Sequence, residues 1–129
     1  MLAQRVGDLD VYKLAFQLQQ QIFQISKSFP KEEMYSLTDQ MRRSSRSVGA
    51  NMSEAWAKRL YPAHFVSKLS DADGEADETV HWLETAFACD YLKQEKKDEL
   101  VSQYAHVSSM LHKMMLNQAA WCKGFVNSK

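Results

Sequence analysis

Apolar residues recur every three or four positions over four separate stretches, and this spacing constrains the fold more than any other feature of the sequence. Such steps bring side chains to one face of an α-helix, whereas a half-buried strand would require strict alternation. The four stretches predict helices over residues 9–29, 36–59, 63–91 and 96–124. The stripe residues that we expect to be almost fully buried are Leu18, Ile22, Val48, Leu83, Leu111 and Met114.

Turn-forming residues lie near the ends of the predicted helices. Pro30 ends the first helix, and Pro62 suits the first turn of the third. Ser36 followed by Asp39 resembles a capping box at the start of the second helix. Because the apolar spacing is helical over all four stretches, the sequence predicts an all-α fold. Three short connections make consecutive helices antiparallel. We expect an up-down-up-down antiparallel four-helix bundle that forms a single domain over residues 1–129.

The composition is typical of a globular, cytoplasmic protein. The 129 residues suffice for one hydrophobic core, and an apolar fraction of 45% argues against disorder. No apolar run approaches the roughly 20 residues of a membrane span, and the alternating residues 1–10 do not resemble a signal peptide. Cys89 and Cys122 are expected to be reduced thiols. The 16 basic residues balance the 16 acidic ones, which argues against a nucleic-acid-binding polycation.

The net charge of zero hides two oppositely charged stripes. Residues 39–61 are mainly basic, and residues 62–91 are strongly acidic. Helical spacing predicts that both stripes lie opposite the core of their own helix. The basic stripe is Arg42, Arg43 and Arg46, followed by the small residues Ala50, Ser53 and Ala57. The acidic stripe is Asp71, Glu75, Glu78 and Trp82.

These two stripes have two interpretations. They are either solvated helix faces, which is the usual fate of charged runs, or a surface for assembly. Arginine pairs with carboxylates through two N–H groups, and Trp and Arg are enriched at the centres of interfaces. Under the second interpretation, the basic stripe of one subunit docks head to tail on the acidic stripe of the next and closes a ring.

Residues 29–54 resemble the family of four-helix bundle proteins named for the 23S rRNA intervening sequence. That family's pattern is F-P-x-x-E-x-x-x-L-x-x-Q-x-R-R-[AS], then S-[IV]-x-x-N-[IM]-[AS]-E-G. Its opening D-L-x-V-[WY]-K and its A-x-G-S-x-x-E-[TL] resemble residues 8–13 and 72–79. Ala55 and Glu75 stand where the family usually has Gly and Ser. The matching positions singled out are Gln40, Arg42, Arg43, Asn51, Glu54, Gly74 and Glu78.

The resemblance implies a four-helix bundle that assembles as a homopentameric ring, and nothing in it implies catalysis. Our first hypothesis is therefore a non-enzymatic assembly or scaffold protein. The resemblance also implies an alternative, a nucleic-acid-binding protein similar to the accessory protein of diversity-generating retroelements. The balanced charge favours the scaffold, and any RNA or DNA binding is expected to be weak and salt-dependent. From their positions, Asn51 and Glu54 are interpreted as a structural cap or bridge to a neighbouring helix, or as a functional polar site. Gly74 is expected to mark close helix packing.

No catalytic or metal site is predicted. Glu78 and His81 form one Glu-x-x-His pair, but a di-iron bundle needs two such pairs and two further glutamates. The other histidines are scattered, and neither a nucleophile elbow nor a phosphate-binding glycine loop occurs. We therefore expect no enzyme activity, no cofactor and no small-molecule substrate.

Overall fold

The computed structural model describes residues 3–126, with the side chains of residues 124–126 left out. Short helical turns cover Val6–Asp8, Lys31–Glu33 and Met34–Thr38. No strand occurs between residues 3 and 126, so the predicted all-α class is confirmed. The five helices are α1 (Asp10–Ser26), α2 (Asp39–Ala57), α3 (Pro62–Ala88), α4 (Gln94–Leu116) and α5 (Gln118–Val126).

The four long helices α1 to α4 form an antiparallel bundle. In each consecutive pair, residues late in one helix contact residues early in the next. α4 also packs against α1, where Lys96 Nζ donates a hydrogen bond to Gln21, and this contact closes the bundle. The cross-helix pairs that establish the directions are Ser26–Arg42, Glu78–Arg43, Lys68–Glu54, Lys97–Glu84 and His112–Asp73.

The core consists largely of the predicted stripe residues. Leu18, Ile22, Val48, Leu83 and Leu111 are fully buried, and Met114 is 6% exposed. The periodicity therefore predicted all six correctly, because a face that repeats every three to four residues is the face that another helix covers. Cys89 is exposed, Cys122 is buried, and neither forms a disulfide.

The start of α2 differs from the prediction. The helix begins at Asp39 rather than Ser36, after one wide π turn over Met34–Thr38. Ser36 does not cap α2, because its hydroxyl donates to Glu33 Oε1 at 2.7 Å. Tyr91, just beyond α3, donates to the other oxygen of Glu33 at 2.8 Å. These two hydrogen bonds lower the pKa of Glu33 and fix the α1–α2 connection against the end of α3.

The predicted fourth helix is two helices. α4 ends at Leu116, and α5 begins at Gln118. Asn117 lies between them as the C-cap of α4, with a φ of −102° and a ψ of 26°. Beyond this break, α5 buries Cys122 and brings the Trp121 ring edge-on to Trp56, with 5.9 Å between the ring centroids.

The end of α3 is formed by a residue that the sequence analysis did not single out. Asp90 has a φ of 63°, in the left-handed region that an Asp side chain tolerates better than most. The N–H of Tyr91 then donates to the carbonyl of Ala86 at 2.9 Å, which satisfies one of the last free carbonyls of the helix.

Candidate interaction surfaces of the second helix

The basic stripe of α2 lies on the surface, as predicted, with one exception. Arg43, Arg46 and the small residues that follow them are exposed, whereas Arg42 is half-buried. Arg42 and Arg43 are adjacent in sequence and therefore about 100° apart around the helix. They consequently point in different directions from α2, Arg42 towards α1 and Arg43 towards α3.

Arg43 joins the two charged stripes within one chain. Its guanidinium lies 3.3 Å from Glu75 and also pairs with Glu78. Gln40, half-buried one turn earlier, accepts a long hydrogen bond of 3.5 Å from Arg43 Nε. The prediction that Glu75 and Glu78 lie opposite the core is wrong, because both are half-buried beside α2.

Beneath these ion pairs, α2 and α3 meet through two small hydroxyl side chains. Ser44 Oγ and Thr79 Oγ1 lie 2.8 Å apart, and both residues are buried. Each hydroxyl has a single hydrogen, so one donates across the contact and the other donates to a carbonyl of its own helix. The carbonyls within reach are Met41 O, 3.3 Å from Ser44 Oγ, and Glu75 O, 2.9 Å from Thr79 Oγ1. Both side chains are small, so the two helices can approach closely here. The sequence analysis did not single out Thr79, because a polar residue does not count towards an apolar stripe.

Trp82 was predicted to face away from the core, and this prediction is wrong. The residue is half-buried and packs against the core, with its ring edge-on to His81 at 4.8 Å between centroids. Its position neighbours the fully buried Leu83, and an indole is long enough to reach the core from the flank of a helix. Its Nε1 is buried and has no hydrogen-bond partner within the described part of the chain.

Asn51 and Glu54 have separate structural roles. Asn51 Nδ2 donates to Ser47 O at 2.9 Å within α2, whereas Glu54 pairs with Lys68 of α3 at 2.9 Å. Asp71 lies 3.8 Å from the same ammonium group. The hydrogen bond to Glu54 raises the pKa of Lys68, so this contact favours the charged lysine. The predicted bridge to a neighbouring helix is confirmed for Glu54 but not for Asn51.

A shallow groove lies between α2 and α3 beside Gly74. Close packing was predicted here and does not occur within the chain, because a Cβ placed on Gly74 would have nothing within 4 Å among the described residues. A glycine inside a helix costs about 1 kcal/mol relative to Ala. The Gly74 groove is lined by Asn51, Ser70, Asp71, Gly74, Glu75 and Glu78.

On the other side of α2, basic side chains surround an aromatic ring of α1. The distances to the centroid of the Phe23 ring are 4.7 Å from Lys27 Nζ, 4.8 Å from Arg42 Cζ and 5.6 Å from Arg46 Cζ. Each distance is within the range of a cation–π interaction. We call these four residues the Phe23 cluster. The sequence analysis assigned neither Phe23 nor Lys27 to a site, since nothing in the α1 stripe predicted the contact of Phe23 with α2.

The described residues hold no grouping of three or more His, Cys, Asp or Glu side chains that would suit a metal ion. Glu78, the acid of the single Glu-x-x-His pair, is engaged by Arg43. Asp73 and His112 form a contact of 2.9 Å between a carboxylate and an imidazole. Asp77 lies near this pair, and its pKa is raised mainly by burial. Between residues 3 and 126, none of the helices combines the length and the apolar character needed to cross a bilayer.

Comparison with known proteins places the bundle in context. The family model for the 23S rRNA-intervening sequence protein matches residues 7–113. A crystal structure of a protein of unknown function from the S23 ribosomal protein family of Bacteroides thetaiotaomicron superposes with a TM-score of 0.73. The two sequences are 25% identical, over 81% of this chain and 97% of that one. Among curated proteins, no match was found.

Proposed function

The chain belongs to the 23S rRNA-intervening sequence protein family, and from this premise we propose that it acts as a non-enzymatic scaffold that assembles with copies of itself. The proposal specifies the surface of assembly as the α2–α3 side of the bundle. Its subunits join head to tail and close a ring. The family resemblance implies five subunits.

Gly74 is the observation that carries this proposal. It lies in the middle of the 27-residue helix α3, where glycine lowers stability, and no described side chain or other helix comes within 4 Å of a Cβ placed on it. The groove beside it admits a closely packed helix, because no side chain projects from this position. A neighbouring subunit would use the space that this chain leaves empty.

The face that fits the groove is the exposed side of α2. Ala50, Ser53 and Ala57 are small and exposed, so two helices can approach closely there. Arg46 lies at one end of this face and meets the acidic rim of the groove, at Asp71, when the faces join. Since Glu75 and Glu78 already pair with Arg43 of their own chain, close packing contributes more to this contact than new ion pairs.

Gly74→Leu separates assembly from folding. Leucine favours a helix by close to 1 kcal/mol over glycine, and the site is open, so the variant should fold at least as stably as the wild type. The same side chain fills the groove and should convert the oligomer to monomers. The measurement is light scattering after size exclusion, with thermal unfolding followed in parallel.

Ser102→Leu is the matched control, because Ser102 is exposed on α4, away from the groove. It adds an equally bulky side chain and should leave the oligomer unchanged. A monomeric wild type, or an oligomer that survives Gly74→Leu, would contradict the proposal. In either case, the charged faces of α2 and α3 would be solvated surfaces.

A further inference from the structure

Three cationic side chains converge on one aromatic ring between α1 and α2. Lys27, Arg42 and Arg46 all lie within 5.6 Å of the centroid of Phe23. Each cation is attracted to the ring face, but the three repel one another. The ring therefore gathers positive charge at one place on the surface.

No carboxylate of residues 3–126 lies within salt-bridge distance of these three cations. On the other side of α2, by contrast, Arg43 and Lys68 each contact two carboxylates. Lys27, Arg42 and Arg46 form no salt bridge with any described residue. The Phe23 cluster is thus a cationic site with no internal counter-ion.

One member of the cluster is held in a fixed orientation. Arg42 Nε donates to Ser26 Oγ at 2.8 Å, and the same hydroxyl donates to the carbonyl of Phe23 at 3.0 Å. Ser26 is itself only 2% exposed, so the surrounding core holds its hydroxyl in place. Neither the hydrogen bond at Nε nor the contact with the ring occupies the two terminal nitrogens of Arg42, and these can donate together to an anion.

We propose that the Phe23 cluster binds a dianionic phosphate group. Arg42 supplies the paired N–H donors that match two phosphate oxygens, and Arg46 and Lys27 supply the remaining positive charge. A phosphomonoester carries about −1.5 to −2 charges at pH 7, which suits several cations better than a single carboxylate or diester does. The group comes either from a small phosphorylated molecule or from the terminal phosphate of a polynucleotide.

The first measurement is a titration with inorganic phosphate, followed by ¹H–¹⁵N NMR of the backbone amides and the arginine Nε–H groups. Sodium chloride at matched ionic strength is the reference for simple screening. We expect saturable shifts centred on Phe23, Ser26 and Arg42. Shifts that chloride reproduces, or that do not saturate, would overturn the proposal.

Variants then locate the site. Arg46→Gln and Lys27→Gln alter exposed side chains, leave the Ser26 contact intact, and should each weaken phosphate binding by about tenfold. Arg42→Lys keeps the charge but loses the paired donors, and it should weaken binding as well. Lys13→Gln removes one charge from α1 at a position about 15 Å from Phe23 along the helix axis, and it should not change binding. Equal losses in the three variants that remove a charge, with none in Arg42→Lys, would show a diffuse electrostatic effect and contradict the site.

Two oligonucleotides of one sequence, with and without a 5′-phosphate, distinguish the sources. Preference for the phosphorylated one identifies a polynucleotide end as a ligand. If neither binds while inorganic phosphate does, the ligand is a small phosphorylated molecule. Equal binding of both would show recognition of backbone diesters and would overturn the assignment of a dianion.

Discussion

Arg42 and Arg43 are neighbours in sequence with opposite surroundings. Arg43 pairs with two glutamates of α3, so its charge is compensated inside the chain. The guanidinium of Arg42 lies over the ring of Phe23 in α1, beside two further cations. Its one hydrogen bond within the described chain goes to the hydroxyl of Ser26, which is neutral. The shift of one residue along α2 therefore leads from the α2–α3 interface, where the charges are paired, to the α1–α2 interface, where positive charge is left unpaired.

This difference explains why one helix can serve two purposes. The charges at the α2–α3 helix interface pair with one another within the chain. A neighbouring subunit would therefore contact this interface mainly by packing into the Gly74 groove. The α1–α2 helix interface leaves its charges unbalanced, so what it offers is attraction for an anion. The two proposed roles, assembly and anion binding, therefore share only Arg46, which lies at one end of the exposed α2 face and also belongs to the Phe23 cluster.

The largest effect is expected in the core that underlies both interfaces. Leu83→Ala removes a fully buried side chain and should lower the free energy of unfolding by about 2–5 kcal/mol. Urea denaturation measures the loss. Glu84→Ala, at the exposed next position, is the control and should change stability little. A loss well under 1 kcal/mol in Leu83→Ala would mean that the packing of α3 is misassigned.

A smaller effect is expected from the polar contact inside the α2–α3 helix interface. Thr79→Val keeps the shape of the side chain but removes the hydrogen bond to Ser44, and should cost about 1 kcal/mol. Thr85→Val is a matched control, because the Thr85 hydroxyl donates only within α3. In the background of Ser44→Ala, the cost of Thr79→Val should shrink. An unchanged cost would show that the two hydroxyls are not coupled.

The smallest effects test the comparison itself, because they should differ in sign. Arg43→Gln removes a compensated charge and should destabilise the fold by up to about 1 kcal/mol. Arg46→Gln relieves repulsion in the Phe23 cluster and should stabilise the fold slightly. Thermal unfolding at low and high salt is the measurement, and salt should reduce both effects. Losses of equal size would refute the contrast between the two interfaces.

The sequence predicted the fold and the core because both follow from one periodicity. Leu18, Val48 and Leu111 lie on stripes that repeat over many turns, and each helix has only one such stripe to bury. The positions where the helices begin and end were harder to predict. Asn117 interrupts a heptad pattern that continues across it, and the π turn before α2 leaves no distinctive residue pattern.

The surfaces were harder to predict, for a geometric reason. A helical wheel shows which residues share a face but not where the neighbouring helices lie around that face. Glu75 and Glu78 were therefore placed opposite the core, although they flank α2. Trp82 was misplaced because side-chain length is not part of a periodicity argument. Phe23 belonged to no predicted site, since two of its three cationic partners, Arg42 and Arg46, come from another helix.

The hydrogen bond from Tyr91 to Glu33 has a consequence for the order of folding. It joins residues 58 positions apart and ties the connection between the first two helices to the end of the third. Helices α1 and α2 can pair early, since closing a short loop costs little entropy. Their connection reaches its native form only once α3 has docked and delivered Tyr91. The turn between the first two helices is thus completed by a contact of high sequence separation, which cannot form from the first two helices alone.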